Sequence, residues 1–92
     1  MRVIRKHVIF KGRVQGVGFR YYCQGIARRM NLTGWIRNLY NGDVEMEVQG
    51  DERDIEMYLY KINQGDRFIR VDEMEVTTKE IVQESKFIIK SY

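Results

Sequence analysis

The sequence predicts an α+β sandwich: an antiparallel sheet, two helices on one of its faces, and a short extra strand at the C-terminal end. Three observations predict it. Two segments repeat apolar residues at three- and four-residue spacing and read as amphipathic helices. The segments around them alternate apolar and polar residues, or are short apolar runs, and read as strands. An Asn-Gly pair between two of those strands closes them as a hairpin.

The elements follow in order. Val8-Ile9-Phe10 leads into Lys11-Gly12-Arg13-Val14, a strand that runs into a glycine-rich loop. From Phe19 the period changes. Phe19, Tyr22, Cys23, Ile26, Ala27 and Met30 mark one helical face, and Asn31 or Gly34 can end that helix. Thr33 to Leu39 reads as a second strand and Asn41-Gly42 as the turn after it. Val44, Met46 and Val48 alternate with Asp43, Glu45, Glu47 and Gln49, a half-buried strand ended by Gly50. Asp51 suits the N-cap of a second helix whose apolar face is Ile55, Tyr58, Leu59 and Ile62. Val71 to Thr77 alternates again, and Phe87-Ile88-Ile89 begins the last short strand. The order β-α-β-β-α-β is the split βαβ, or ferredoxin-like, sandwich. It brings the first loop close to the end of the second strand. The fold hosts many functions, so function must come from the site.

A chain of 92 residues suits one domain, here 1–92. A hydrophobic fraction of 43% and an aromatic fraction of 12% support a real core. No run approaches a membrane span, and the basic start Met1 to His7 is not followed by the apolar stretch of a secretory signal. A single cysteine, Cys23, forms no internal disulfide, and with a single His it argues against structural zinc. A cytoplasmic protein is expected. The net charge of +3 and isoelectric point near 9.1 suit a small anionic ligand. They support nucleic-acid binding only weakly, because the charges alternate in sign.

The chemistry concentrates in Gly12-Arg13-Val14-Gln15-Gly16-Val17-Gly18-Phe19-Arg20. Three glycines in seven residues let backbone N–H groups converge, and the start of the helix adds partial positive charge. Arg20 adds a planar fork of donors suited to a phosphoryl group. The expectation is an oxyanion cradle for phosphate. No P-loop is present, and Tyr21 breaks the dinucleotide fingerprint that Gly16-Val17-Gly18 would begin. His7 reads as structural or solvated and Cys23 as a buried, inert thiol. Trp35, Tyr21 and Tyr22 read as core or its rim, and Arg28-Arg29 as solvated helix surface. Asn38, at the end of its strand, is the best polar partner for the cradle, since an amide both donates and accepts. On residue types alone, a tight connection with no ligand and a turn asparagine remain open readings.

These blocks resemble the acylphosphatase family. The resemblance rests on Gly12 to Arg20, on Gly34-Trp35-Ile36-Arg37-Asn38, and on Asn41-Gly42 with Val44-Glu45 after it. It extends over nearly the whole chain, to Gly50 and the Phe87 to Tyr92 ending. It implies hydrolysis of acyl phosphates to a carboxylate and inorganic phosphate, without metal or organic cofactor. It implies that Arg20 binds phosphate, that Asn38 positions the attacking water, and that backbone N–H groups of Gln15, Gly16, Val17, Gly18 and Phe19 complete the cradle. The implied partner is a small acyl phosphate, with inorganic phosphate or sulfate as competing anions and no nucleic acid or membrane. Two features depart from the family pattern. The chain has no proline where many relatives carry Gly-Pro, around Gln64 to Arg70. Leu39 stands where several relatives have a small hydroxyl residue, so a hydrogen bond near Asn38 is missing or supplied by another group. The alternatives are a non-catalytic anion-binding module and a single-stranded RNA binder. The latter requires exposed aromatics on the central strands, with Phe10 as a candidate.

Overall fold

Alternation along β1 (Val3–Arg13) puts Ile4, Val8 and Phe10 on one face of the sheet and Arg5, His7 and Ile9 on the other. The computed structural model describes residues 1–91; the last residue of the Phe87 to Tyr92 ending lies outside them. β1 begins before its apolar centre at Val8, because one neighbouring strand pairs with it from Val3 and a second from Arg5. Its charges are met on the sheet surface. Arg5 is bonded by Glu47 at 2.6 Å and Glu84 at 2.7 Å, and His7 meets Glu45 at 2.8 Å.

α1 (Phe19–Arg29) buries Phe19, Cys23, Ile26 and Ala27 against the sheet. It ends just before Asn31, the first of the two residues expected to stop it. Asn31 takes the left-handed conformation at φ 58, while Leu32 N donates to Ala27 O and Asn31 N to Arg28 O. Those bonds occupy carbonyls that the helix end would leave open. The hairpin of β2 (Thr33–Asn38) and β3 (Val44–Asp51) follows. α2 (Glu52–Gln64) starts at Asp51, whose Oδ1 accepts from Arg53 N at 2.9 Å, as expected of an N-cap. β4 (Arg70–Lys79) and β5 (Phe87–Ile89) complete the chain.

The sheet order is β4-β1-β3-β2-β5. The four long strands pair antiparallel, but the short extra strand lies parallel to β2. The reason is the route of residues 80–86. That segment crosses the open face of the sheet, held by Arg5 to Glu84 and by paired bonds between the Gln49 side chain and the Val82 backbone. It starts from one edge strand and enters beside the other, running the same way as β2.

The core fills the space between the sheet and the two helices. Phe10 is fully buried there, so it offers no stacking surface on the open face. Tyr58 donates its hydroxyl to Cys23 O at 2.8 Å. Burial pushes the Cys23 thiol well above its ordinary pKa, in keeping with an inert core residue. Two aromatics differ from the expectation of a core or rim place. Tyr21 is 68% exposed, because it falls between the apolar positions of α1. Trp35 lies on the open face of β2, between Lys90 at 4.4 Å and Arg37 at 5.5 Å from its ring centre.

The open face also carries a titratable contact. Burial alone would raise the Glu45 pKa, but hydrogen bonds from His7 and Arg37 outweigh it and lower it below the usual 4.5. A depressed carboxylate adds stability that is present above its unfolded value and lost as pH falls through its folded one. Glu45→Gln is therefore expected to flatten the loss of stability below pH 4.5, read by denaturant melts across the acid range.

Candidate active site

The glycine loop is held at both ends by the core. Val14 is buried to 1% exposure, and Phe10 before the loop meets Phe19 after it edge to face, ring centres 5.0 Å apart. Burying each ring stabilises by about 1.5–3 kcal/mol. Between these anchors the chain bends sharply through Gln15 to Gly18. Gly16 and Gly18 sit at φ 73 and 79, a region costly to residues with a Cβ. A Cβ at either would meet open space, so the cost of substitution is backbone strain and not collision. Gly18→Val is expected to lose about 1–2 kcal/mol and to weaken phosphate binding as the loop relaxes. Melting with and without phosphate checks both.

The bend leaves donors uncommitted. The first hydrogen bond of α1 runs from Tyr22 N to Gly18 O at 3.0 Å. Among the described residues, the backbone N–H groups from Gln15 to Tyr21 have no protein acceptor. Gly18 caps the helix without a side-chain bond, and no acidic residue lies in the first turn. Arg20, the second residue of α1, is half-buried and has no ion-pair partner among the described residues. A helix start, free N–H groups and an unneutralised guanidinium thus concentrate positive potential at one place.

Asn38 is the last residue of β2, opposite Val44 and on the helix side of the sheet with Ile36. Its Oδ1 is buried and without a hydrogen-bond partner among the described residues. Buried acceptors are rarely left so, and such an exception is a mark of function or strain. A shallow hollow of about 220 Å³ beside it is lined by Arg37, Asn38, Leu39 and Tyr40.

The two halves of the site touch. Gln15 Nε2 donates to Leu39 O at 2.7 Å and to Asp43 O at 2.8 Å, joining the loop to the turn that follows Asn38. The expected proximity of the first loop to the end of the second strand is thus present. Sequence reasoning took Gln15 for its backbone N–H and missed this side-chain tie. The one signal for it was a long amide side chain set in a glycine-rich loop. The hairpin turn itself is a three-residue loop, with Gly42 at φ 96 and Asn41 in an ordinary conformation.

The proline-free loop is shaped by Asp66. Its Oδ1 accepts from Phe68 N at 2.8 Å and Ile69 N at 2.9 Å, and its N–H donates to Ile69 O. A larger cleft of about 480 Å³, at the C-terminal end of α1 between Arg28, Leu32, Lys86 and Phe87, includes none of the expected site residues. A phosphoryl group needs converging donors more than volume, so the open loop is the better candidate. Among the described residues, no group of three His, Cys, Asp or Glu side chains is placed to hold a metal. Nor is any helix long and apolar enough to cross a membrane.

Comparison with known proteins settles the family. The acylphosphatase family model matches residues 6–89, which include the glycine loop, Arg20 and Asn38. The chain belongs to the acylphosphatase family. An acylphosphatase of Clostridium beijerinckii is 44% identical over 89 residues, covering 96% of this chain and 99% of that one. One of Geobacillus kaustophilus is 45% identical over 82 residues, covering 89% and 87%. The crystal structure of the acylphosphatase from Bacillus subtilis superposes with a TM-score of 0.88 at 33% identity, covering 95% of this chain and 98% of that one. This acylphosphatase-family chain thus spans most of the length of these relatives.

Proposed function

We propose that the chain hydrolyses the carboxyl-phosphate bond of acyl phosphates, with Arg20 and the Gln15 to Phe19 loop gripping the phosphoryl group and Asn38 aligning the attacking water. The observation that carries this reading is the pairing of two complementary features. On one side are uncommitted N–H donors around Arg20. On the other is a buried amide oxygen with no protein partner. The donors suit phosphoryl oxygens. The Asn38 oxygen suits a water that must be held while it attacks.

Few groups are needed because the leaving group is good. A carboxylate has a conjugate-acid pKa of roughly 4, so it departs without a general acid. The water oxygen bonds to phosphorus as the phosphorus–acyl oxygen bond breaks, and the carboxylate leaves with that electron pair. A phosphoryl oxygen of the substrate takes the proton of the water. The protein's contribution is to hold three oxygens, balance their charge and keep water and leaving group in line. No step asks for a metal or an organic cofactor, so the rate is expected to be unchanged in EDTA. Inorganic phosphate and sulfate, which fit the same cradle, compete with substrate.

An anion-binding module would keep the cradle but has no use for the strained solvation of Asn38. An RNA-binding role lacks its platform, since Phe10 is in the core and β3 presents Glu45 and Glu47 to the open face. The expected place of action is the cytoplasm, where no disulfide is needed from the single buried cysteine. Turnover of benzoyl phosphate in water labelled with heavy oxygen tests the reaction. The label is expected in phosphate. Label in benzoate, or no release above the spontaneous rate, overturns the reading.

A further inference from the structure

We infer that the Gln15 side chain is a positioning residue that sets the turnover rate by fixing the turn after Asn38 relative to the phosphate cradle. This rests on the hydrolase reading above. Gln15 stands in the cradle loop, but its amide reaches across to β2 and β3, where Nε2 gives both protons to backbone carbonyls, Leu39 O and Asp43 O. Each of those carbonyls already has a partner within the turn: Gly42 N donates to Leu39 O, and Leu39 N donates to Asp43 O. Asp43 is held further by Lys11 Nζ at 2.7 Å and by the Asn41 side chain. The turn is therefore a stiff unit closed by its own bonds. What Gln15 adds is its attachment to the loop.

That attachment has a catalytic consequence. Leu39 is the residue after Asn38, so a shift of the turn moves the Asn38 amide relative to a phosphoryl group in the cradle. Misplacing an attacking group by about 1 Å costs on the order of 100-fold in rate. The cradle donors lie on the loop and on α1, so anion affinity does not depend on the tie.

Gln15→Met tests this, since it keeps length and apolar bulk while removing both donors, and neither carbonyl is left without a partner. Expected are a kcat for benzoyl phosphate reduced about 10- to 100-fold and an inhibition constant for inorganic phosphate changed by less than about threefold. In an Asn38→Ala background the same change is expected to cost less than about twofold more, because the aligned water is already lost. In an Arg20→Ala background the two losses multiply. Gln15→Leu, which also lacks both donors and adds no charge to the cradle, is measured with the same criteria if Gln15→Met does not fold. Unchanged kcat, equal loss of kcat and phosphate affinity, or full additivity with Asn38→Ala overturns the inference alone. A wild type inactive on acyl phosphates overturns the hydrolase reading and this inference with it.

Discussion

Replacing Arg20 with alanine is expected to lower kcat/KM for benzoyl phosphate by at least about 100- to 1,000-fold and to abolish measurable phosphate binding. The guanidinium is the only full charge placed on the cradle by its own helix turn, since the first turn of α1 holds no acidic residue. The backbone donors that remain carry only partial charges. Loss in both binding and turnover follows, because the interaction exists with bound phosphate and strengthens as charge spreads over its oxygens. Arg20→Lys is expected to recover part of the affinity but little of the rate, since an ammonium restores charge without the planar fork. Isothermal titration with phosphate beside steady-state kinetics separates the two quantities. The fold is not expected to suffer, as Arg20 has no ion-pair partner among the described residues.

Asn38→Ala is expected to behave differently. Its kcat is predicted to fall about 100- to 1,000-fold while phosphate affinity stays within about threefold of wild type. An amide that touches only the attacking water contributes when the bond to phosphorus forms, not when the anion binds. Stability gives an independent readout. Asn38 Oδ1 takes no hydrogen bond from the described protein atoms, so alanine breaks none there. The variant is thus expected to melt no lower than wild type, an uncommon result for a substitution at a partly buried strand position. A destabilised Asn38→Ala with normal turnover would identify an ordinary strand-end residue.

Much of this was legible in the chain because local and tertiary signals agree. The three- and four-residue spacing from Phe19 to Met30 matches the buried face of α1, and Asp51 caps α2 as its residue type suggests. The alternation of Val44, Met46 and Val48 places β3 correctly. β1 was seen only from Val8, because Arg5 and His7 hide the alternation until their partners Glu47, Glu84 and Glu45 are placed across the sheet. The parallel pairing of β5 depends on the path of residues 80–86, a nonlocal matter that no three-residue pattern encodes. At the site, Gly16, Gly18, Arg20 and Asn38 stood out by type and spacing. The Gln15 tie did not, since a glutamine in a loop carries no mark of where its amide ends. Nor did the orphaned oxygen of Asn38, which is a property of burial and not of sequence.

Phosphate release from benzoyl phosphate, followed in EDTA for the wild type beside Arg20→Ala and Asn38→Ala, tests the central claim most directly. Rapid wild-type turnover that collapses in both variants, with phosphate binding lost only in the first, is the predicted result. A wild type that binds phosphate but releases none above the spontaneous rate, or variants that turn over normally, would contradict it.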